Sequence, residues 1–311
     1  MRWLLRSYRN GLPISASKLT EFPKAKLLEV LDICGRFDGA IINSYQMAAA
    51  FPEILPERFI YLAHNVEHVS ASENARYASN FLERALYHRD SHLLEPIEEQ
   101  LCADAAFVWA LSEPDRAMFD RAGNKSAVLP LLTPVTDKVE ADRRPTLDLA
   151  LIGTWTWKLN ELGLRWFLEE VVPRLNEDIR IAIAGSVSSD LQIEDPRVRF
   201  CGRVPNAAAF LRTAKVVPLI SRGGTGVQLK TLEAFQSGLA CVATTSSLRG
   251  VSKIPENCRI ADEPEEFADA IHRLVEKADS GRLPECDGSS FRRTQEKAMR
   301  EALQLGLERL S

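Results

Sequence analysis

Residues 221–238 read Ser-Arg-Gly-Gly-Thr-Gly-Val-Gln-Leu-Lys-Thr-Leu-Glu-Ala-Phe-Gln-Ser-Gly, a glycine-rich turn running into an amphipathic helix that carries one lysine and one glutamate. A phosphate is expected here. Gly223, Gly224 and Gly226 let the backbone bend through angles that other residues avoid and bring bare N–H groups near a ligand. The helix adds its unpaired N-terminal amides and the positive end of its dipole, and Lys230 adds a formal charge. Glu233, one turn further on, would repel phosphate but can accept hydrogen bonds from sugar hydroxyls. Phosphate donors and a hydroxyl acceptor on one element point to a nucleotide sugar. Glycines also punctuate purely structural turns between strand and helix, and a lone glycine motif is weak. The functional reading gains from three glycines, Arg222, Thr225 and Lys230 occurring together at the carboxyl end of a predicted strand.

Two further stretches fall at such ends. Gly153-Thr154-Trp-Thr-Trp157-Lys158-Leu-Asn160 offers a glycine for close approach and Lys158 and Asn160 as donors, which suits a pyrophosphate or an acceptor; its tryptophans equally suit core plugs. His64-Asn65-Val66-Glu67 closes a strand of the first half. A lone histidine is more often structural than catalytic, but this one sits on the ligand-bearing edge of its sheet. His68, His88, His92 and His272 have no such context. The chain has no His and carboxylate set at zinc spacing and no Asp-x-Asp, so no metal is expected. It also lacks the Gly-x-Ser-x-Gly elbow, the Walker lysine motif and the dinucleotide fingerprint, which lowers hydrolase, kinase and dehydrogenase readings.

The elements that must position these residues are legible in the second half, where β-branched runs alternate with helical periodicity, the pattern of a parallel sheet covered by helices. Strands are predicted at 147–152, 179–184, 198–201, 216–220 and 240–244, and helices around 207–214, over Lys230 and Glu233, and at 264–277. Leu164, Phe167, Leu168, Val171, Val172 and Leu175 form one continuous helical stripe. This is a doubly wound domain, whose ligands bind at the carboxyl ends of its strands. The first half is thinner, with strands at 39–43, 59–63, 106–111 and 126–131 and a long helical region between the second and third. Ser112 is read as a helix cap, with Asp115 placed to accept from it. The polar, proline-flanked stretch 133–146 is the expected linker, dividing an acceptor-side domain (1–134) from a nucleotide-sugar-binding domain (147–311) whose last helix packs back on the first.

At 311 residues, 45% hydrophobic and 26% charged, the composition is that of a globular protein with room for two domains. The net charge of −4 argues against a nucleic-acid binder. Only the first 26 residues are basic, which suits contact with an anionic membrane surface or simply a solvated end. Six scattered cysteines with no C-x-x-C pair read as reduced thiols in the cytoplasm. No apolar run approaches the roughly 20 residues that span a bilayer.

Taken together, Ile152-Gly153 through Trp157, Trp166-Phe167, Ile183-Ala-Gly185, Phe200-Cys-Gly202-Arg203-Val204, Gly224-Thr-Gly226 and Lys230-Thr-Leu-Glu233 resemble the retaining glycosyltransferases of family 4. The resemblance runs from about Gly11 to the last helix and implies an α/β, GT-B-like fold of two Rossmann-like, doubly wound parallel-sheet domains facing a cleft. It places Gly202, Arg203 and Val204 near the base, Glu233 on the ribose, Lys230 and Arg222 on the diphosphate and His64 towards the donor sugar. It further implies transfer without a bound metal or cofactor, from a nucleoside diphosphate sugar to a glycan or lipid-linked acceptor, in surface polysaccharide or glycoconjugate biosynthesis, with peripheral contact at the inner membrane face. Two departures stand out. Thr225 occupies the place of a glutamate that contacts the donor sugar in many members, as in a subgroup with a Gly-x-Gly-x-x-x-Lys turn. The strand, glycine-rich loop and two β-α units usual before Gly11 are not in this sequence, so the first domain is expected to be incomplete. Both departures motivate the rival reading of a catalytically inactive nucleotide-sugar-binding or scaffold subunit. A GT-B-like epimerase or phosphorylase has no signature of its own here.

Overall fold

The computed structural model describes residues 2–35, 37–78, 80–121, 125–133, 145–251, 253–283 and 288–310. Residues 134–144 of the expected linker and Cys286 lie outside them. The chain divides into two compact units. Unit 1 comprises Met1–Pro130, Thr225–Val227 and Ala298–Ser311, and unit 2 comprises Leu131–Gly224 and Gln228–Lys297.

Unit 1 opens with three helices, α1 (Arg2–Asn10), α2 (Ile14–Leu19) and α3 (Lys24–Cys34). There follow β1 (Ala40–Asn43), α4 (Tyr45–Ala50), β2 (Phe59–Ala63), α5 (Glu67–Arg76), the long α6 (Phe81–Asp104), β3 (Phe107–Ala110), α7 (Glu113–Arg121) and β4 (Ser126–Val128). The strands form one parallel sheet in the order β1-β2-β3-β4, so each crossover steps the same way. The central strands β2 and β3 are apolar runs covered on both faces, as parallel strands require, and Tyr61, Val108, Leu94 and Leu101 belong to the core they share with α6. Trp109 is buried under the chain's last helix, where its indole N–H donates to the carbonyl of Ala302 at 2.9 Å.

Unit 2 contains β5 (Leu147–Ile152), α8 (Lys158–Trp166), β6 (Ile181–Ala184), β7 (Val198–Gly202), α9 (Ala207–Leu211), β8 (Ala214–Leu219), α10 (Leu229–Gln236), β9 (Ala240–Ala243), β10 (Cys258–Ile260) and α11 (Pro264–Asp279). The last helix, α12, spans Gly288–Leu307. All six strands are parallel in the order β7-β6-β5-β8-β9-β10. The chain steps outward from β5 to β7, returns to β8 beside β5, then steps outward the other way. That reversal makes the carboxyl ends of β5 and β8 the switch point at which a doubly wound sheet binds its ligand. The β5–β8 pairing ends at Leu149 opposite Val216, ahead of Pro218, which has no amide hydrogen to extend a ladder.

Several expected boundaries shift. The helix predicted to run to residue 214 stops at Leu211, because Ala214 already pairs with Leu147 and opens β8. The strand expected from residue 179 begins at Ile181, after a turn closed by the Ile179 amide on the Asn176 carbonyl. The apolar stripe is buried at all six positions, but its helix is not uniform. Past Trp166 it widens into a π-turn in which the Val172 amide reaches Phe167, and Pro173 then tightens it into a 3₁₀ turn. The three helices of residues 2–34 and the three-residue β10 were not anticipated.

Candidate functional site

In unit 2 the switch point is flanked by both loops that the sequence singles out, the one after β5 (153–157) and the one after β8 (220–228). Helix α10 buries Thr231, Leu232, Ala234, Phe235 and Gln236, which leaves Lys230 and Glu233, three residues apart, on its partly exposed side. No side chain caps its start at Gln228, so its first amides are not consumed by a capping oxygen. The Lys230 ammonium lies over the face of Trp155, 5.3 Å from the ring centroid. Trp155 is itself the floor of the site: it is buried, and its indole N–H donates to the carbonyl of Ala184 at 2.8 Å. Burial, helped by the charge of Arg249, pulls the Lys230 pKa down to about 8. Burial also holds the Glu233 carboxyl above its ordinary value.

Arg249, which the sequence does not single out, also lies against this turn. Its guanidinium Nη2 lies 3.2 Å from where a side-chain carbon on Gly224 would stand, and Gly224 has φ +100°. It follows a turn, Thr245–Leu248, that hydroxyls bind to the end of β8. Ser247 Oγ accepts from the Ser221 amide at 2.8 Å and donates to the Leu219 carbonyl at 2.7 Å, and Thr244 Oγ1 donates to the Ser221 carbonyl at 2.5 Å. Nothing in the one-dimensional pattern marks Arg249, which is 25 residues from Gly224 and belongs to a different turn.

Arg222 is the residue expected on the diphosphate. It is exposed, stacks over Trp166 at 4.7 Å and donates from Nη1 to the backbone carbonyl of Asp262 at 2.8 Å. In the loop after β5, Lys158 pairs with Glu161 at 3.0 Å, and the Asn160 amide donates to the Thr154 carbonyl at 3.1 Å, so both side chains serve their own loop and helix. Gly153 lies against the Trp155 ring, and Trp157 is exposed, so one tryptophan is a core plug and the other is not. Gly185 is required by geometry. Its φ is +113°, and a side-chain carbon would stand 1.9 Å from the Gly153 carbonyl oxygen. Gly202, Arg203 and Val204 leave the end of the edge strand β7, and the Gly202 carbonyl accepts from the Gly185 amide at 2.7 Å.

Unit 1 holds the remaining candidates. His64, exposed at the end of β2, has Nε2 2.5 Å from Asn43 Oδ1 at the end of β1. Thr225 and Gly226 belong to this unit. The Gly226 amide donates to the buried Asp115 carboxylate at 2.8 Å, and the Thr225 and Ser70 hydroxyls are 2.5 Å apart. Ser112 caps α7 by accepting from the Asp115 amide at 3.3 Å. The deeply buried Glu98 of α6 accepts from the amides of Glu67 and His68 (2.7 and 2.9 Å) and from His68 Nδ1 (2.7 Å), closing the start of α5 from outside its own sequence. This hydrogen bond raises the His68 pKa.

The comparisons fit this geometry. Residues 146–277, which contain the switch point and both flanking loops, match the family model described as glycosyl transferases group 1. No curated protein sequence matches the chain. Among solved structures, sucrose-phosphate synthase from Thermosynechococcus elongatus superimposes with a TM-score of 0.68 at 16% identity, over 94% of this chain and 79% of that one. A TarM variant from S. aureus, in complex with fondaparinux, alpha-GlcNAc-glycerol and UDP, gives 0.62 at 15% identity over 94% of this chain. This chain spans 58% of that protein's length. HepE from Anabaena, in complex with UDP and glucose, gives 0.57 at 15% identity, over 90% of this chain and 80% of that one. At these identities the likeness is one of fold, that of GT-B glycosyltransferases built from two Rossmann-like parallel α/β domains.

Proposed function

We propose that the protein is a glycosyltransferase, that unit 2 binds a nucleoside diphosphate sugar at the β5–β8 switch point, and that the sugar moves to a glycan or lipid-linked hydroxyl with retention of configuration. The observation that carries the reading is the convergence of a glycine turn, uncapped helix amides and Lys230 at that point of a sheet whose sequence matches a glycosyltransferase family model. In the reaction, the bond between the anomeric carbon and the diphosphate oxygen breaks, and the leaving diphosphate takes the electron pair. A bond forms from the acceptor oxygen to the same face of that carbon, and the acceptor proton passes to the departing phosphate oxygen. Lys230 and the α10 amides stabilise the charge that develops there. The Glu233 carboxylate, on the same helix, accepts hydrogen bonds from the ribose hydroxyls. The UDP bound by the S. aureus and Anabaena proteins makes UDP the first nucleotide to test. The described residues contain no helix long and apolar enough to cross a membrane, and the basic start of the chain is proposed to approach an anionic surface peripherally.

The test is a thermal-shift panel with UDP, GDP, ADP, CMP and dTDP on wild type and on Lys230→Ala. A ligand at a hundred times its dissociation constant adds about 2.7 kcal/mol to the folded state. One nucleotide is expected to raise the melting temperature in wild type and to lose that effect in Lys230→Ala, with nucleoside binding far less affected. Equal losses of nucleotide and nucleoside binding, or no shift with any nucleotide, would remove the reading in favour of a scaffold subunit.

A further inference from the structure

We propose that Arg249, and not Arg222, is the second cation on the donor diphosphate, paired with Lys230 at the glycine turn; this rests on the nucleotide-sugar reading of the same site. Arg222 adjoins Gly223 in sequence, which makes it the obvious candidate, yet its guanidinium is spread over Trp166 and bonded to the Asp262 carbonyl. Arg249 reaches the turn from the connection after β9, the strand next to β8 on the side away from β5. Its Nη2 and Cζ lie 3.2 and 3.9 Å from the point where a side chain on Gly224 would begin. Gly224 is therefore glycine for two reasons, its φ of +100° and the guanidinium that occupies the space.

Three features turn this packing into a diphosphate site. Arg249 and Lys230 are close enough for the charge of one to disfavour the charge of the other. Two cations held together raise the electrostatic energy of the empty site, and an anion with two charged centres lowers it most. The turn that carries the guanidinium is also fixed, because Ser247 and Thr244 bind it to the end of β8 with buried hydroxyls. Finally, a guanidinium presents a planar fork of donors suited to phosphate oxygens, whereas the Lys230 ammonium acts as a point charge. Arg222 then has a different task, fixing the entrance of the turn against α8 and the residues before α11.

The experiment is calorimetric titration of the full chain with inorganic pyrophosphate and with UDP, GDP, ADP, CDP, dTDP and their monophosphates. The proteins compared are wild type, Arg249→Gln, Arg249→Lys and Arg222→Gln. Arg249→Gln is expected to weaken pyrophosphate and the preferred diphosphate about tenfold or more, a change of about 1.4 kcal/mol. Monophosphate affinity should change less than about threefold, so the diphosphate-to-monophosphate ratio collapses. Arg249→Lys restores part of it, and Arg222→Gln keeps the wild-type ratio. A second readout is the titration of the Lys230 amine by NMR, which moves up from about 8 in Arg249→Gln as the neighbouring charge is removed. A variant that merely loosened the turn would lower all affinities together, which would overturn the proposal, as would loss of the ratio in Arg222→Gln. If pyrophosphate binds in an Arg249-dependent way but no nucleotide does, the cation pair stands and the nucleotide-sugar reading falls. If wild type binds neither, both fall.

Discussion

Replacing Lys230 with methionine is expected to make the ligand-free protein more stable at neutral pH. The folded site holds this ammonium at a pKa of about 8, against an ordinary value of 10.5. Each unit of depression corresponds to about 1.36 kcal/mol of disfavour towards the charged form, so the burden is roughly 3 kcal/mol. Below pH 8 both folded and unfolded chains carry the proton and the burden is fully present. Between about 8 and 10.5 the unfolded chain binds more protons, so stability rises with pH and the burden disappears. Methionine removes it, gives up a cation–π contact with Trp155 worth about 0.5–2 kcal/mol, and regains part of that as a sulfur–aromatic contact. The expected gain is about 2 kcal/mol at pH 7, or roughly 4–8 °C in melting temperature for a unit of this size. Scanning fluorimetry of wild type and Lys230→Met at pH 7, 8.5 and 10 would check it, with the difference shrinking as pH rises. A variant that melts below wild type at pH 7, or whose advantage is the same at pH 10, would refute the reasoning. A stabilised fold that no longer binds diphosphate would mark Lys230 as a residue kept for function at a cost in stability.

Two other perturbations follow from the geometry. Gly185→Ala places a carbon 1.9 Å from the Gly153 carbonyl at a φ of +113°, so the expected result is a loss of more than about 3 kcal/mol on urea unfolding; a wild-type midpoint would show that the β5 and β6 loops are not interlocked. Glu98→Gln removes the carboxylate that raises the His68 pKa, a stabilising pairing that is complete below the unfolded histidine value near 6.5 and lost as pH rises through the folded value. The variant should therefore lose more stability at pH 6 than at pH 8.5, by about 1 kcal/mol or more, and its His68 should titrate lower by NMR; an equal loss at both pH values would mean that the carboxylate acts only through the α5 amides.

Unit 2 was more legible in the sequence than unit 1, for physical reasons. Strands such as Ile181–Ala184 and Ala240–Ala243 are covered on both faces, so burial forces an unbroken apolar run that can be read directly. In β10 only Cys258 is buried, while Arg259 and Ile260 face outward, so three residues at a sheet edge leave no pattern to detect. Helix α3 has no buried residue, and its apolar side chains therefore follow no periodicity that burial imposes. The helix carrying Lys230 and Glu233 was legible because glycines and a charged pair are unusual together. Arg249 was not, because its relevance comes from a β8-to-β9 neighbourhood that only the strand order creates. Arg222 is marked by its place beside Gly223, but its stacking on Trp166 is not something its place in the sequence shows.

The hydroxyl of Ser247 joins two pieces of chain that are separately encoded. By accepting from Ser221 and donating to Leu219, it makes the connection after β9 an extension of the one after β8. Anyone grafting a different glycine turn onto this scaffold to change its ligand would have to transplant residues 244–249 along with 221–228. The same linkage would couple their inheritance, so that a drift in either segment selects for a matching change in the other.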